Sequence, residues 1–322
     1  MPATFSRRFS LTTRDVEMLE SIATARYITA EALEWLHFPT WRTRWKAAKA
    51  AGKAESYRPA PHLYRRLNHL LDYGLVYRLR RPVERSLETF GREPDLYLLT
   101  DEGAETIGTY GSIPFDDLHV TRKRTRSYHN LGHAAMIGQV YAAIRGRILL
   151  RNDSLEVHGW QGDHITRRSY DKVHVPIHGS GKRCEYGYVG VQPDATFEFC
   201  QGERRWRVFV EVDQGTRATA TWATKMEVYS RYAGTREYIH RYGDAMMLLF
   251  AVTTTPAQRI KLMRATGGVY GQAIFKRLVL FAERTAVQPE EIGKNWHKIT
   301  SITPNHRTPD RPEITTDLHT FF

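Results

Sequence analysis

The chain has 322 residues, with 47 Lys and Arg against 35 Asp and Glu for a formal net charge of +12, and 11% of its residues are aromatic. That length exceeds one ordinary domain, and the aromatic content excludes a disordered basic tail, so two folded domains with a polyanionic partner are expected, nucleic acid first. No run of about 18 apolar residues and no apolar block near the N-terminus is present, and Cys184 and Cys200 lack metal or disulfide spacing, so no membrane span, a cytoplasmic location and reduced thiols are expected.

The charge is uneven. Residues 42–92 hold 13 Lys and Arg against four acids, a net +9. Clustering of this kind marks a polyanion-binding face, and the alternative is a merely solubilising surface.

In chain order, Thr12-Thr13-Arg14-Asp15 reads as a capping box, with Val16, Leu19, Ile22 and Ala23 following at helical spacing. Thr29 caps a second short helix that carries Leu33 and Leu36 and ends before Pro39. A basic connection containing Arg44 and Lys46 leads to a third helix in which Leu63, Leu67, Leu70 and Leu71 form one stripe and Gly74 ends it. Arg65, Arg66, Asn68, His69 and Asp72 form its polar back. Two strand-like runs, residues 75–81 with Arg78, Arg80 and Arg81 and residues 95–100, read as a hairpin. Three helices and a two-stranded wing make a winged helix-turn-helix, with the third helix placed in the major groove and the wing on phosphate. A helix from Thr100 closes this domain near residue 110, and residues 111–126, with the run Arg122-Lys123-Arg124-Thr125-Arg126, form a basic linker.

Residues 127–298 form the second domain. A helix from Ser127 to Gly146 carries His129 and His133 on an apolar stripe, where packing is a simpler reading than metal ligation. Residues 148–190 show no clear period. Residues 193–199 and 205–212 read as a hairpin, followed by a helix near residues 222–234, a buried strand at 245–253, a helix at 256–268 and a final strand at 277–284. The fold class is therefore α+β or α/β, a mixed sheet with flanking helices. Residues 299–322 read as a polar, loose tail.

Within the hairpin, Asp194 opens one strand while Glu211 and Asp213, two residues apart, share a face near the end of its neighbour. Like charges raise one another's pKa, and a divalent cation with oxygen ligands is the usual resolution. Mg2+ or Mn2+ suits three carboxylates better than zinc, since no Cys or His accompanies them at ligand spacing. With a lysine, such a group is equipped for phosphodiester hydrolysis. Acids that merely cap strand ends in solvent are the competing reading.

The pattern Pro193-Asp194 followed by Glu211-Val212-Asp213 resembles the PD-(D/E)XK nuclease superfamily, which implies a restriction-endonuclease-like sheet. It departs at the last position, where that pattern has lysine, and Lys225 on the following helix is the candidate to fill the same space. The ordered set of segments from Leu11 to Arg284 resembles the replication-relaxation family of bacterial mobile elements. That resemblance implies a winged helix, a nuclease-like domain and a role in plasmid replication or relaxation.

Three functions follow as expectations. The first is a double-stranded DNA-binding protein that nicks or cleaves with Mg2+ or Mn2+ through Asp194, Glu211, Asp213 and Lys225. The second is a non-catalytic replication, relaxosome or regulatory factor, with a homodimer and plasmid replication or mobilisation proteins as partners. The third is a defence or toxin effector on the same scaffold.

Overall fold

The computed structural model describes residues 10–53, 60–80, 94–113, 128–151, 155–177, 185–215, 218–269, 278–292, 294, 296–299 and 314–316. The chain divides into two compact units, 1–142 and 143–322.

In the first unit, helix α1 (Thr13–Ala25) starts on the capping box read from the sequence. The Asp15 amide donates to Thr12 Oγ at 3.3 Å, and the Asp15 carboxylate accepts from the Thr12 amide at 2.7 Å, so two orphan donors are satisfied reciprocally. Strand β1 (Ile28–Thr29) leads into α2 (Ala30–His37), where Thr29 Oγ accepts from the Ala32 amide. The expected basic connection is instead a helix, α3 (Pro39–Ala50). Pro39 stands in its first turn, where a missing N–H costs nothing, so the proline starts a helix as well as ending the one before it. The leucine-striped helix is thus the fourth, α4 (Pro61–Asp72), and it buries Leu63, Leu67 and Leu70 while Leu71 stays half-buried.

Strands β2 (Val76–Leu79) and β3 (Leu96–Leu99) pair antiparallel, Val76 opposite Leu99, and β1 joins β3 to give the order β1-β3-β2. The tip expected between β2 and β3 lies outside the described residues. Helix α5 (Asp101–Tyr110) is capped by Thr100. Helix α6 (Tyr128–Arg151) crosses the division between units, which falls later than the linker at 111–126. The reason is packing: Leu131, Ala134 and Ala135 join Tyr27, Leu96 and Leu98 in one apolar cluster. Gly138 completes the fit, because a Cβ there would stand 2.1 Å from the Tyr27 carbonyl oxygen.

The second unit contains β4 (Leu155–Gly162), the short helix α7 (Asp163–Thr166), β5 (Lys172–Ile177), β6 (Glu185–Gly190), β7 (Ala195–Gln201), β8 (Arg204–Asp213), α8 (Thr219–Tyr232), α9 (Arg236–Tyr242), β9 (Met246–Thr253), α10 (Pro256–Gly267), β10 (Val279–Glu283), β11 (Trp296–Lys298) and β12 (Ile314–Thr316). Seven strands form one mixed sheet in the order β12-β11-β10-β9-β8-β7-β4. The β8–β9 and β9–β10 pairs are parallel and the others antiparallel. Parallel neighbours need crossovers, which α8 with α9 and then α10 supply. The unreadable stretch 148–190 proves to hold β4 and a separate β5–β6 ladder, and residues 314–316 of the expected loose tail pair with β11.

Strand β8 is buried along Trp206 to Asp213 because both faces are covered. On one face Phe209, Leu249, Ala251 and Phe281 pack with Trp222, Met226 and Tyr229 of α8 and Leu262 of α10. Phe197, Phe199, Phe250 and Trp296 associate by ring contacts, with Phe250 and Trp296 centroids 4.4 Å apart. Each such side chain contributes about 1.5–3 kcal/mol on burial. No helix among the described residues is long and apolar enough to cross a membrane.

Candidate functional site

Register decides which side chains meet. Thr196 lies opposite Phe209 and Ala195 opposite Val210, so continuing the ladder by one residue sets Asp194 beside Glu211. Alternation along β8 gives Phe209, Glu211 and Asp213 one face. All three acids therefore lie on one side of the sheet, at the carboxyl end of β8, the end at which open α/β sheets place ligands. They are withdrawn from solvent, at 3%, 0% and 2% exposure for Asp194, Glu211 and Asp213, which excludes the solvated-cap reading.

Each carboxylate is held differently. The Asp194 amide donates to the Val210 carbonyl at 3.0 Å and its Oδ2 accepts from the Val212 amide at 2.8 Å, so this side chain extends the β7–β8 ladder past the strand's first residue. Glu211 Oε1 accepts from the Tyr229 hydroxyl at 2.6 Å, and Lys225 Nζ donates to Oε2 at 2.5 Å. Lys225 and Tyr229 are four residues apart on α8 and so share its face toward the sheet. The lysine absent after Glu211-Val212 thus arrives from the next helix, as its sequence position suggested. Asp213 Oδ2 accepts from Gln258 Nε2 and from the Gly215 amide, while Asp213 Oδ1 is buried with no hydrogen-bond partner. Gly215 has φ +82°, a left-handed conformation that a glycine adopts freely, and it turns the chain out of β8.

Sequence reading did not find Tyr229 or Gln258. Tyr229 carried a signal, its four-residue spacing from Lys225. Gln258 carried none, because it reaches Asp213 through a parallel crossover 45 residues long.

Whether these groups suit a divalent cation is a matter of spare oxygens. Hard carboxylate oxygens are the donors Mg2+ and Mn2+ take, and the partnerless Asp213 Oδ1 is a buried acceptor of that type. Both oxygens of Glu211 already have partners, Tyr229 and Lys225. Among the described residues no group of three or more His, Cys, Asp or Glu is gathered closely enough to hold a metal ion.

In the first unit the residues expected on DNA separate into two kinds. Arg44, Arg65, Asn68 and Arg80 are exposed, and Lys46 and His69 are half-buried. Arg78 Nε stands 3.9 Å from Asp95 Oδ2. Arg66 is a correction to the polar-back reading of α4. Its Nε donates to Asp15 Oδ1 at 2.7 Å and its Nη2 to Oδ2, an ion pair with a fully buried acid that ties α4 to α1. The spacing that puts Arg66 one residue before Leu67 carries it to the edge of the buried stripe. Arg81, Arg122, Lys123 and Arg124 lie outside the described residues.

Comparison with known proteins adds the lineage. The replication-relaxation family matches residues 19–246, and the chain belongs to that family. No curated protein matches it. Two solved structures are similar to it, both of the restriction endonuclease FokI and one of them bound to DNA. Each is 15% identical over 87% of this chain, with TM-scores of 0.25 and 0.24. The chain spans less than half the length of either, 44% and 43%.

Proposed function

We propose that the protein is a double-stranded DNA-binding protein whose second unit nicks or cleaves DNA, with Asp194, Glu211, Asp213 and Lys225 as the reacting constellation. Membership of the replication-relaxation family supports a DNA-related role, and plasmid replication or relaxation is the setting we propose. The observation that carries the chemistry is the 2.5 Å contact from Lys225 to a fully buried Glu211. A lysine and carboxylates brought together in a water-poor pocket are the groups a phosphodiester hydrolase uses, because an anionic phosphorane gains most from a fixed cation at low dielectric.

Hydrolysis adds water across one P–O bond and leaves a hydroxyl end and a phosphate end. Lys225, anchored by Glu211, presents its ammonium to the developing negative charge. Tyr229 fixes the Glu211 carboxylate from the other side, so the pair is oriented before substrate arrives. Asp213, through its spare Oδ1, and Asp194 would hold Mg2+ or Mn2+, which supplies an activated water and neutralises the leaving oxygen.

For the first unit we propose a winged helix, supported by the β1-β3-β2 sheet beside α1, α2 and α4. The exposed Arg44, Arg65, Asn68 and Arg80 would meet the duplex. One observation favours a second reading, a non-catalytic DNA clamp: the oxygens of Glu211 are both engaged within the protein.

Supercoiled plasmid incubated with the protein and Mg2+ or Mn2+ separates the two. Nicked product from the wild type, absent with Glu211→Gln and reduced by about 100-fold or more with Lys225→Met, supports the nuclease. Intact plasmid with salt-sensitive binding retained supports the clamp.

A further inference from the structure

Strand β8 carries another charged side chain on the face of Glu211 and Asp213. Arg207 lies four residues before Glu211, about 13 Å along the strand, beyond Phe209 and the helix packed on it. It marks the opposite end of the sheet, near Met247 at the start of β9. There it lines a cavity of about 340 Å³ together with Arg205, Arg241, Glu198 and Tyr242.

Three arginines are buried among the described residues: Arg42, Arg207 and Arg259. Arg42 meets Glu31 at 3.0 Å and Arg259 meets Glu283 at 3.1 Å. Arg207, 7% exposed, has no carboxylate within ion-pair distance among the described residues, and its buried Nε makes no hydrogen bond. The carboxylates nearby serve other arginines. Glu198 accepts from Arg205 with both oxygens, at 3.0 and 3.2 Å, and Asp171 lies 3.3 Å from Arg241. Arg207 is left with the Tyr242 ring, its guanidinium carbon 4.6 Å from the centroid. A buried guanidinium, pushed toward deprotonation by burial, needs an anion that this chain does not provide.

The cavity has room for one. The β4–β7 register shifts between His158 and Gln161, and Gly159, at φ +59°, stands in that irregularity with Arg207 Nη1 3.9 Å from where its Cβ would be. We infer that this cavity is a binding site for a phosphate group, a second anion site at the amino ends of the parallel strands. Forked guanidinium donors from Arg207, Arg205 and Arg241 match tetrahedral phosphate oxygens, which bring more charge than a lone carboxylate. The phosphate belongs either to a DNA backbone or to a free phosphate compound.

The test is calorimetric titration of the full chain with inorganic pyrophosphate, with EDTA throughout so that the outcome is independent of any cation at the carboxylates. The wild type is expected to bind at one saturable site. Arg207→Gln should weaken binding by about tenfold or more without lowering the melting temperature in phosphate-free buffer, because no ion pair is lost. Arg205→Ala, at the half-exposed mouth, should weaken binding severalfold and decides the matter if Arg207→Gln does not fold. Absence of saturable binding to the wild type, or unchanged affinity in both variants, overturns the site. A melting temperature lowered in Arg207→Gln with affinity intact overturns it as well. A short duplex that competes with pyrophosphate identifies backbone phosphate as the ligand; a duplex that binds without competing identifies a free phosphate compound.

Discussion

Asp15 in the first unit and Asp213 in the second are both withdrawn from solvent, at 0% and 2% exposure. Asp15 is spent on the fold: both oxygens accept, from Thr12 and from the Arg66 fork. Burial works to raise its pKa, and the hydrogen bonds from Arg66 and Thr12 outweigh it, so the carboxyl titrates below its usual range. Asp213 has one oxygen tied to Gln258 and Gly215 and one oxygen without a partner. Burial of an acid is thus no mark of a site by itself. An oxygen left over after the fold has used the rest is the better sign, because an orphaned buried acceptor costs about 1–3 kcal/mol and persists only where something else recoups it.

The largest test of this contrast removes Arg66. Arg66→Ala leaves Asp15 ionised, buried and without its cation, and should cost about 3–5 kcal/mol in chemical denaturation. Arg65→Ala, on the exposed side of the same helix, should change stability by about 0.5 kcal/mol or less while weakening duplex binding and lowering the salt slope by about one. Equal stability losses at the two positions would show that Arg66 belongs with the surface cations.

A second test uses Glu34, fully buried, with Oε2 accepting from the Ala60 amide at 2.6 Å. Burial pushes its pKa up from 4.5 to about 7, against the opposing pull of the Ala60 hydrogen bond. The folded state then binds more protons than the unfolded one between pH 4.5 and 7, so stability falls as pH rises through that window. His37 acts in the other direction. Burial, aided by Arg14, lowers its pKa from 6.5 to about 4, so its contribution is complete above pH 6.5 and is lost as pH falls toward 4. Each slope is on the order of 2–3 kcal/mol across its window, and where the windows overlap they oppose. Glu34→Gln, which keeps an acceptor for Ala60, should convert a flat melting profile between pH 4.5 and 6.5 into a rising one. A profile unchanged by the substitution would refute the opposition.

The smallest expected effect is the sharpest. Asp213→Asn retains an acceptor for Gln258 and Gly215 and relieves crowding among the acids, so stability should move by about 0.5 kcal/mol or less while plasmid nicking is lost. A loss of stability like that of Arg66→Ala would place Asp213 with Asp15, as a structural acid.

The capping box, the leucine stripe and the strands of the β7–β8 hairpin were legible because each rests on local spacing. Helix α3 was hidden: Pro39 reads as a stop, and Trp41, Arg42 and Trp45 give no apolar stripe. Strands β4 to β6 were hidden because β4 buries only Val157 and Gly162 among its residues and so lacks a strand period. The three acids and Lys225 could be proposed from sequence, since alternation and one helix separate them. Gln258 could not. Arg207 was missed although the same alternation that turns Glu211 and Asp213 inward turns it inward too; an inward-facing arginine in an apolar strand was read as strand and nothing more.

The parallel arrangement of β8 and β9 also sets an order of events during synthesis. Asp213 leaves the ribosome 45 residues before Gln258, and the neighbour that buries β8 on its parallel edge does not exist until β9 has been made. Until then the carboxylates stay hydrated. A nascent chain consequently carries the acids without the dry pocket that would make them reactive, and the domain is chemically silent until nearly all of it has been translated.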